Sequence, residues 1–439
     1  MKVTAVIAEY NPFHNGHLYQ LRTIRTAEGA DWIVVILSGD FVQRGIPAIV
    51  DKYTRCQMAL ANGADLVFEL PVYFALGSAE YFAQGAVSLI DKLGVVDTLH
   101  FGSECGDLPL ILDCARMIAS ESCQYQSLLN SYLKQGCSFP AARVRAVAAL
   151  FPEKETESLL NAPNNILGIE YVKALLQRNS AIKPATLARK GEGYASDVLD
   201  TDHFVSANAL RNALHAALHD STSPEAVRPH VPGSVYDSTS LAAVRPHVPE
   251  SVYSLLTQHD FLYMDDFSEI LLYKLLRDAS GKDAFALYYD IREQLSHTLY
   301  RHLPAFISFE DFAMQCKSKN LTYTRICRGL MHILLDMTQE NADALKHNDY
   351  SQYARLLGFS RHGRDLLKSI KANASVPIVT KPAVALKQLD GTARISLLAD
   401  LHAADIYDSI YQQKRRRLTN QTSAILRCNE RTRQIITDY

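Results

Sequence analysis

Short apolar segments alternate with helical stretches through the first 105 residues, and this alternation restricts the fold more than any other feature of the chain. The apolar segments are nearly continuous, as in strands covered on both faces, and span residues 3–8, 32–37, 66–70 and 98–101. Helical spacing of apolar residues lies between them, at 16–28, 52–62 and 79–92. The pattern predicts an α/β fold with a doubly wound parallel sheet and right-handed crossovers.

Beyond these residues the chain reads as mostly helical, with a fifth candidate strand at 181–189. A proline-containing stretch, 219–254, predicts the connection between an N-terminal α/β domain, 1–218, and a mostly helical C-terminal domain, 255–439. Apolar spacing in the C-terminal domain predicts helices that include residues 351–357, and it leaves one short strand, at 376–379. A length of 439 residues is sufficient for two or three domains that each bury a core.

The connection contains an internal duplication. Residues 226–236 recur at 243–253, and the two copies differ only at Gly233 and Glu250. Two copies are too few for a repeat architecture. We therefore interpret them as a tandem duplication in a surface connection, where insertions are tolerated.

The composition excludes several classes of protein. The 45 basic and 47 acidic side chains give a formal net charge of −2, so nucleic-acid binding would need a local basic patch. No apolar run approaches the ~20 residues of a membrane span, and the N-terminal residues predict a strand, not a signal peptide. The eight cysteines form no CxxC pair, which argues against a zinc site and favours reduced thiols in a cytoplasmic protein without membrane contact.

The segment Asn-Pro-Phe-His-Asn-Gly-His, at 11–17, directly follows the first predicted strand. His14 and His17 share one face of a helix's first turn, and Gly16 between them lets a nucleotide approach the backbone. With the N–H groups of the helix N-terminus, they would hold a triphosphate while charge moves to the leaving pyrophosphate. Two other interpretations stay open: metal ligands, for which a carboxylate or third histidine is expected nearby on a helix, and ordinary capping or core histidines.

Longer strings point to a known family. His14-Asn15-Gly16-His17 resembles the H-x-G-H signature with which the nucleotidylyltransferase superfamily binds ATP phosphates. Five segments resemble the bacterial tRNA(Met) cytidine acetate ligases more closely, namely 9–17, 38–45, 63–71, 101–104 and 164–168. The likeness runs from residue 1 to about 215 and continues more diffusely to the C-terminus.

The resemblance implies an enzyme with a nucleotidylyltransferase-like Rossmann domain. Such a ligase activates acetate with ATP to acetyl-adenylate, and it releases pyrophosphate. The acetyl group then passes to N4 of the wobble cytidine of elongator tRNA(Met). ATP as substrate, Mg²⁺ on its phosphates, acetate and this tRNA are the expected ligands, and no resident metal site or protein partner is expected.

The resemblance also implies an ATP site by position. Its residues would be Ile7, Ala8, Glu9, Tyr10, Asn11, Pro12, Phe13, His14, Asn15, Gly16, His17, Leu18, Tyr19, Gln20, Gly102, Asn164, Arg189 and Arg211. Gly102 offers a bare backbone for adenosine, Asn164 a donor and an acceptor, and Arg189 a forked cation for phosphate. A helix cap is the alternative for Asn164, with Asn165 as the cap if Asn164 is the ligand, and a surface salt bridge is the alternative for Arg189.

Residues 206–211 resemble the second superfamily signature, with Ser206 as the expected helix N-cap. Asn208 stands where the signature usually has a hydroxyl, which weakens the expectation of a hydroxyl–phosphate contact. Arg211 is the candidate ligand of the γ-phosphate, and a plain surface arginine is the alternative.

The loop 38–45 follows the second strand and is predicted to close over acetate or the cytidine. Asp40 is its candidate catalytic residue, and Gln43 and Arg44 belong to the same loop; a surface ion pair of Asp40 with Arg44 is the alternative. Lys52 and Arg55 come next, and either could face RNA or phosphate.

The C-terminal domain carries a local positive run, Lys414, Arg415, Arg416 and Arg417, in a chain that is otherwise neutral. These residues predict contact with the RNA backbone, and a solvated helix end is the alternative. Two rival functions stay open at this point. One is an adenylyltransferase that makes a nucleotide cofactor, and the other is a non-catalytic RNA-binding protein.

Overall fold

The computed structural model describes residues 1–151, 156–189, 204–219, 238–419 and 435–436. The strands in this part of the chain are β1 (Val3–Ala8), β2 (Trp32–Ser38), β3 (Phe41–Val42), β4 (Ile46–Pro47), β5 (Leu66–Leu70), β6 (Thr98–Ser103), β7 (Lys183–Ala188), β8 (Ala354–Phe359), β9 (Ile378–Val379) and β10 (Ile435–Ile436). The first four predicted strands are thus β1, β2, β5 and β6, and the fifth is β7.

The helices surround this sheet. In the N-terminal half they are α1 (Asn15–Thr26), α2 (Lys52–Ala61), α3 (Val72–Ala75), α4 (Ala79–Lys92), α5 (Leu108–Ser120), α6 (Cys123–Lys134), α7 (Phe139–Leu150), α8 (Thr156–Asn161), α9 (Pro163–Gln177) and α10 (Ala207–His219). They continue as α11 (Ser238–Val244), α12 (Glu250–Leu256), α13 (Ser268–Asp278), α14 (Glu293–His302), α15 (Phe309–Gln315), α16 (Tyr323–Leu334), α17 (Gln339–His347), α18 (Gly363–Asn373), α19 (Pro382–Ala385) and α20 (Gly391–Thr419). Short 3₁₀ helices span Arg245–His247, Met264–Phe267, Ala284–Leu287 and Leu303–Ala305.

The main sheet has the strand order β10-β8-β5-β2-β1-β6-β7, with β9 paired to β8. Its pairs are parallel except for β5 with β8, which is antiparallel. The register is in step along β1 and β2, where Val3 pairs with Trp32 and Ala8 with Leu37. A small antiparallel hairpin, β3–β4, stands apart from this sheet.

Both faces of the sheet are covered, as the apolar strands predict. In β2, Val34 and Ile36 are buried in one hydrophobic cluster, while Ile33, Val35 and Leu37 are buried in the other. Alternation of this kind follows from the two-residue period of a strand, since successive side chains point to opposite faces. The predicted α/β class with a mostly parallel, doubly covered sheet is confirmed.

One element of the C-terminal domain differs from its prediction. Residues 351–357 are predicted as a helix, but Ala354–Phe359 forms β8 and joins the sheet beside β5. Ala354 and Leu356 are buried in one core cluster and Leu357 in the other. A short apolar run does not distinguish a buried strand from a buried helix by its spacing, which explains the error. The C-terminal chain therefore completes the sheet of the N-terminal half, and the boundaries 218 and 255 stay a prediction.

The second copy of the duplication packs into the core instead of lying on the surface. Val244 and Val252 are fully buried, and Val248 is nearly so. Asn15 Nδ2 of α1 donates a hydrogen bond to Pro246 O at 2.9 Å. The first copy, 226–236, lies outside the described residues. In the part of the chain that is described, no helix combines the length and the apolar character that crossing a membrane requires.

Candidate active site

A cavity opens at the carboxyl ends of three neighbouring strands, β1, β6 and β7. In the sheet, β1 lies between β2 on one side and β6 on the other. The strand order therefore reverses direction at β1, which makes this edge the topological switch point of the sheet. Ligands of open α/β sheets bind at such a point. Twelve of the residues predicted to bind ATP line the cavity: Ile7, Ala8, Glu9, Tyr10, Asn11, His14, His17, Gln20, Gly102, Asn164, Arg189 and Arg211.

The two histidines of the signature cap the N-terminus of α1 reciprocally. His14 Nδ1 accepts a hydrogen bond from Gly16 N at 3.0 Å, and His17 Nδ1 accepts one from His14 N at 3.2 Å. Their rings stack with centroids 3.7 Å apart and planes inclined by 26°. The capping and the nucleotide-binding interpretations therefore do not exclude each other, because capping uses only one nitrogen of each ring.

Both imidazoles are neutral. Burial, with smaller contributions from the charges of Arg189 and Arg211, lowers the pKa of His14 to about 3. Burial and the neighbouring His14 hold the pKa of His17 well below its usual range. A neutral ring whose Nδ1 is an acceptor carries its hydrogen on Nε2. The pair therefore supplies one N–H donor from each ring without adding a net charge.

Gly16 is required by the ring of His14. A Cβ atom at this position would lie 2.9 Å from His14 Cε1 and 3.0 Å from His14 Nδ1. Any larger residue would push the ring away from the backbone N–H that it caps. The sequence explains the glycine at position 16 by close approach of a nucleotide to the backbone. The structure adds a second reason, which is the space that the His14 ring needs.

The neutral state of the pair gives a pH prediction. An ordinary histidine has a pKa near 6.5 and is mostly protonated at pH 5, whereas His14 and His17 stay neutral there because their pKa values are lowered. We expect ¹⁵N-resolved imidazole NMR spectra of the ligand-free protein to show both rings as Nε2–H tautomers from pH 8 to pH 5. His14→Gln and His17→Gln variants assign the signals. Titration of both rings near pH 6.5 would contradict this electrostatic description.

Arg211 stands at the same end of the cavity and is oriented by two neighbours. Its Nη1 donates to Asn11 O at 2.7 Å, and its Nη2 donates to Asn208 Oδ1 at 3.0 Å. Burial lowers its pKa to about 10, so the guanidinium remains charged at neutral pH. Ser206 Oγ accepts from Ala209 N at 3.1 Å, as expected for the N-cap of α10. Asn208 therefore orients the arginine in the place where a hydroxyl is usual.

The opposite end of the cavity is organised by Glu104. Its carboxylate accepts hydrogen bonds from the backbone N–H groups of Asn164 and Asn165 at 3.1 and 2.8 Å, so it caps α9. In return, Asn165 Oδ1 accepts from the N–H groups of Glu104 and Cys105. Neither asparagine is the N-cap of α9, so the alternatives in which Asn164 or Asn165 caps this helix are wrong. Asn164 Oδ1 lies 3.4 Å from Arg189 Nη1, which brings these two predicted ligands together.

Gly102 lies beside this pair. A Cβ atom built on it would be 3.5 Å from Arg189 Cγ, which is ordinary van der Waals contact. The bare backbone therefore leaves the space between β6 and the arginine open.

Six residues of the segment 7–20 do not line the cavity: Pro12, Phe13, Asn15, Gly16, Leu18 and Tyr19. Phe13 is fully buried in the core cluster that covers one face of the sheet. Asn15 contacts the second copy of the duplication, and the ring of Tyr19 packs at 5.5 Å from that of Phe204. Their predicted contacts with ATP stay predictions, while their observed contacts hold α1 in place.

Asp40 does not line the cavity and is buried behind it. Its Oδ1 accepts a hydrogen bond from Lys52 N at 2.8 Å, and its Oδ2 lies 3.4 Å from Lys52 Nζ. Lys52 Nζ also donates to Glu69 Oε1 at 2.8 Å. Arg55 is fully buried as well, so the expectation that Lys52 or Arg55 faces RNA or phosphate is wrong. The predicted catalytic role of Asp40 stays a prediction.

Other residues of the loop 38–45 do reach the cavity. Gln43 and Arg44 line it, and Gln43 N donates to Glu9 Oε1 at 2.9 Å. The loop turns at Gly45, whose φ of +76° is strained for other residues. A Cβ atom there would lie 2.3 Å from Arg328 N of α16. The hairpin β3–β4 therefore packs closely, at Gly45, against the backbone of α16 in the C-terminal domain. This contact positions Gln43 and Arg44.

The basic run lies at the end of α20. Lys414 Nζ donates to Asp266 Oδ2 at 2.7 Å and lies 5.2 Å from the ring centroid of Tyr263. Arg415 is half-buried, and the side chains of Arg416 and Arg417 lie outside the described part of the chain. The predicted RNA contacts of these four residues stay predictions.

Four large apolar or aromatic residues that line the cavity are not among the ligands predicted from the sequence: Phe82, Phe101, Leu167 and Tyr171. Phe101 comes from β6 and the other three from α4 and α9, and their apolar spacing is the same as that of core residues. No signal in a single sequence separates a helix face that lines a cavity from one that packs against a sheet.

A family model described as HIGH Nucleotidyl Transferase matches residues 1–422. A tRNA(Met) cytidine acetate ligase of Clostridium novyi (strain NT) is 35% identical over 411 residues, which cover 93% of this chain and 96% of that protein. The chain belongs to the tRNA(Met) cytidine acetate ligase family. Another member of this ligase family, from Caldicellulosiruptor saccharolyticus, is 38% identical over 381 residues, which cover 87% of each chain.

Solved structures of the ligase family agree with this fold. TmcAL of Thermotoga maritima in its apo form I matches with a TM-score of 0.85 and 29% identity over the whole of both chains. The crystal structure of the same protein bound with alpha-thio ATP matches with a TM-score of 0.81 and 30% identity, covering 94% of this chain and 95% of that one. Membership of the ligase family confirms the resemblance that the sequence motifs carry.

Proposed function

We propose that this chain is an ATP-dependent tRNA(Met) cytidine acetate ligase. In the first step an acetate oxygen attacks the α-phosphorus of ATP, the α–β phosphoanhydride bond breaks, and pyrophosphate leaves. In the second step the N4 amine of the wobble cytidine attacks the acetyl carbon, the bond from that carbon to the AMP oxygen breaks, and the amine loses a proton. The relatives named as this ligase, and the ATP analogue bound to the T. maritima protein, support this assignment.

The observation that carries the proposal is the histidine pair at the N-terminus of α1 with Arg211 beside it. Two neutral Nε2–H donors, one cation and the positive end of the α1 helix dipole all favour an anion. Charge develops on the β-phosphate as pyrophosphate leaves, and fixed donors stabilise that charge without reorganising. We assign His14, His17 and Arg211 to the β- and γ-phosphates.

The adenosine would occupy the other end of the cavity. Gly102 leaves the strand end open, and Asn164 has its amide held between Glu104 and Arg189. An amide that is fixed in this way has one lone pair of Oδ1 and one hydrogen of Nδ2 to offer to a ribose or a base edge. Arg189 is the candidate ligand of the α-phosphate, since its guanidinium lies beside Asn164 and its charge also contributes to the lowered pKa values of His14 and His17.

Asp40 is proposed to act by positioning. Its buried ion pair with Lys52 fixes the start of the loop that carries Gln43 and Arg44 to the cavity. Its effect on catalysis would pass through these two residues, because its own carboxylate faces a buried cation.

Mg²⁺ is proposed to enter with ATP. Among the described residues that line the cavity, Glu9 supplies the one carboxylate, and no group of three potential metal ligands occurs in the described chain. Mg²⁺ keeps several waters and binds through substrate phosphates in many such sites. The metal would therefore belong to the substrate, and Glu9 would contact its water shell.

The tRNA is proposed to contact the end of α20, where Lys414, Arg415, Arg416 and Arg417 concentrate positive charge in a chain of formal net charge −2. A tRNA substrate would place the reaction in the cytoplasm. The seven cysteines that the structure describes are free thiols, which suits that reducing compartment.

The test follows the two steps separately. Purified protein with ATP, Mg²⁺ and labelled acetate is expected to form acetyl-adenylate and pyrophosphate without RNA, and N4-acetylcytidine at the wobble position once elongator tRNA(Met) is added. Nucleoside analysis of the tRNA by mass spectrometry gives the modified base. Pyrophosphate release that does not depend on acetate, with a dinucleotide as the product, would instead indicate a cofactor-forming adenylyltransferase.

A further inference from the structure

We propose that a second cavity, which shares a wall with the ATP cavity, holds the cytosine base of the tRNA while its amine is acetylated. The cavity lies between the hairpin β3–β4, helix α10 and the C-terminal domain, and its volume is about 310 Å³. This inference rests on the proposed function and names the binding site of its second substrate.

The two cavities share three polar side chains of their linings. Arg44, Asn208 and Arg211 line both of them. Arg211 is assigned to the β- and γ-phosphates, so an acceptor in the second cavity would stand on the side that pyrophosphate vacates in the first step. The cytosine amine would approach the acetyl-adenylate from this side.

The chemistry of the lining suits a single nucleobase. Aromatic rings of His215, Tyr263 and Tyr323 stand among apolar side chains that include Ile46 and Leu262. A base that is taken out of a stack is commonly held between aromatic and apolar surfaces. The volume is at the lower end of the ~300–1,000 Å³ range of small-molecule pockets, which is enough for one nucleoside.

The ring and the backbone N–H of Tyr263 are held by neighbouring groups, but its hydroxyl has no hydrogen-bond partner among the described residues. Its ring meets that of His215 edge-to-face at 4.5 Å between centroids, and its N–H donates to Asp266 Oδ2 at 2.8 Å. The Tyr263 hydroxyl is buried, and no described group is its hydrogen-bond partner. Buried hydroxyls are normally paired, and a cytosine carries two acceptors, the carbonyl O2 and the ring N3, either of which would pair with this one.

The same tyrosine connects the second cavity to the basic run. Asp266, which anchors Tyr263 N, also accepts from Lys414 Nζ, and this ammonium stands over the Tyr263 ring. An RNA backbone that contacts the end of α20 therefore passes the mouth of the second cavity. A nucleotide turned out of the anticodon loop would place its base on the Tyr263 ring while the RNA backbone stays on the positively charged end of α20.

The variants Tyr263→Ala and Tyr323→Ala test the proposal in the full-length protein. We expect acetyl transfer to tRNA(Met) to fall by roughly 10- to 100-fold, because base–aromatic stacking contributes about that much. Acetate-dependent ATP–pyrophosphate exchange without tRNA should stay within about twofold, which also shows that each variant is folded. Tyr273→Ala, which removes an exposed tyrosine of the same domain, is the control and should leave both rates unchanged.

A second measurement uses the unmodified protein. Elongator tRNA(Met) with 5-iodocytidine at the wobble position should cross-link on irradiation to Tyr263 or Tyr323, as read by peptide mass spectrometry. A cross-link confined to another surface, transfer at the normal rate by both variants, or labelling of these tyrosines by a photoreactive adenine of ATP would overturn the proposal. Absence of acetate-dependent exchange in the unmodified protein would instead refute the proposed function itself.

Discussion

Replacing His17 by alanine is expected to slow acetyl-adenylate formation by about 100-fold or more at saturating ATP. The variant loses an Nε2–H donor that is already fixed in place, and removal of one such donor typically has an effect of this size on the transition state. Rapid-quench measurement of a single turnover isolates this step from tRNA transfer. ATP binding should weaken less than the rate, because the charge on the leaving group develops only in the transition state.

His17→Gln separates catalysis from capping. A glutamine as third residue of a helix can accept the hydrogen bond from the N-cap N–H, as His17 Nδ1 does from His14 N, but it lacks the imidazole. We expect this variant to unfold at nearly the normal temperature and to be as slow as His17→Ala. Recovery of the rate to within about threefold by glutamine would assign His17 to the helix cap alone.

The fold was predictable from the sequence where its signals are local. The four N-terminal strands are almost continuously apolar, and β2 alone places alternate residues in two separate cores. The strand β8 was not predictable in the same way, because its pairing with β5 joins residues almost 300 positions apart. Tertiary pairing, and not the spacing of residues 354–359, decides between strand and helix there.

The candidate site shows the same division. The H-x-G-H string and its position after β1 identify the end of the cavity that is proposed to bind phosphates, since the strand, the turn and the helix cap are contiguous in the sequence. The buried cations are a different case. Lys52 and Arg55 look like surface residues in the sequence, yet they lie behind the site with carboxylates and backbone carbonyls around them. Such a partner set exists only once β1, β2 and α2 are packed.

Arg55 is the residue whose loss is expected to damage the fold most. It is fully buried and donates hydrogen bonds to four backbone carbonyls, those of Glu9, Ser38, Gly39 and Val50. Together these bonds join the ends of β1 and β2 to the segment that leads into α2. Burial lowers the pKa of the guanidinium, but the carbonyls and nearby carboxylates such as Asp40 keep it charged. A single side chain therefore sets the shape of the edge at which the cavity opens.

We expect Arg55→Met to destabilise the protein by at least ~4 kcal/mol, because each carbonyl left without a partner costs about 1–3 kcal/mol. Urea unfolding measures the loss. Arg55→Lys keeps the charge but cannot reach four acceptors, so it should fold with lower stability and slower adenylation as the backbone of Glu9 shifts. Arg116→Met, which changes an exposed arginine of α5, is the matched control and should change stability by less than ~0.5 kcal/mol. If Arg55→Met unfolded at the same urea concentration as the unmodified protein, the edge of the sheet would be held by its strands alone, and the buried cation would have no structural role.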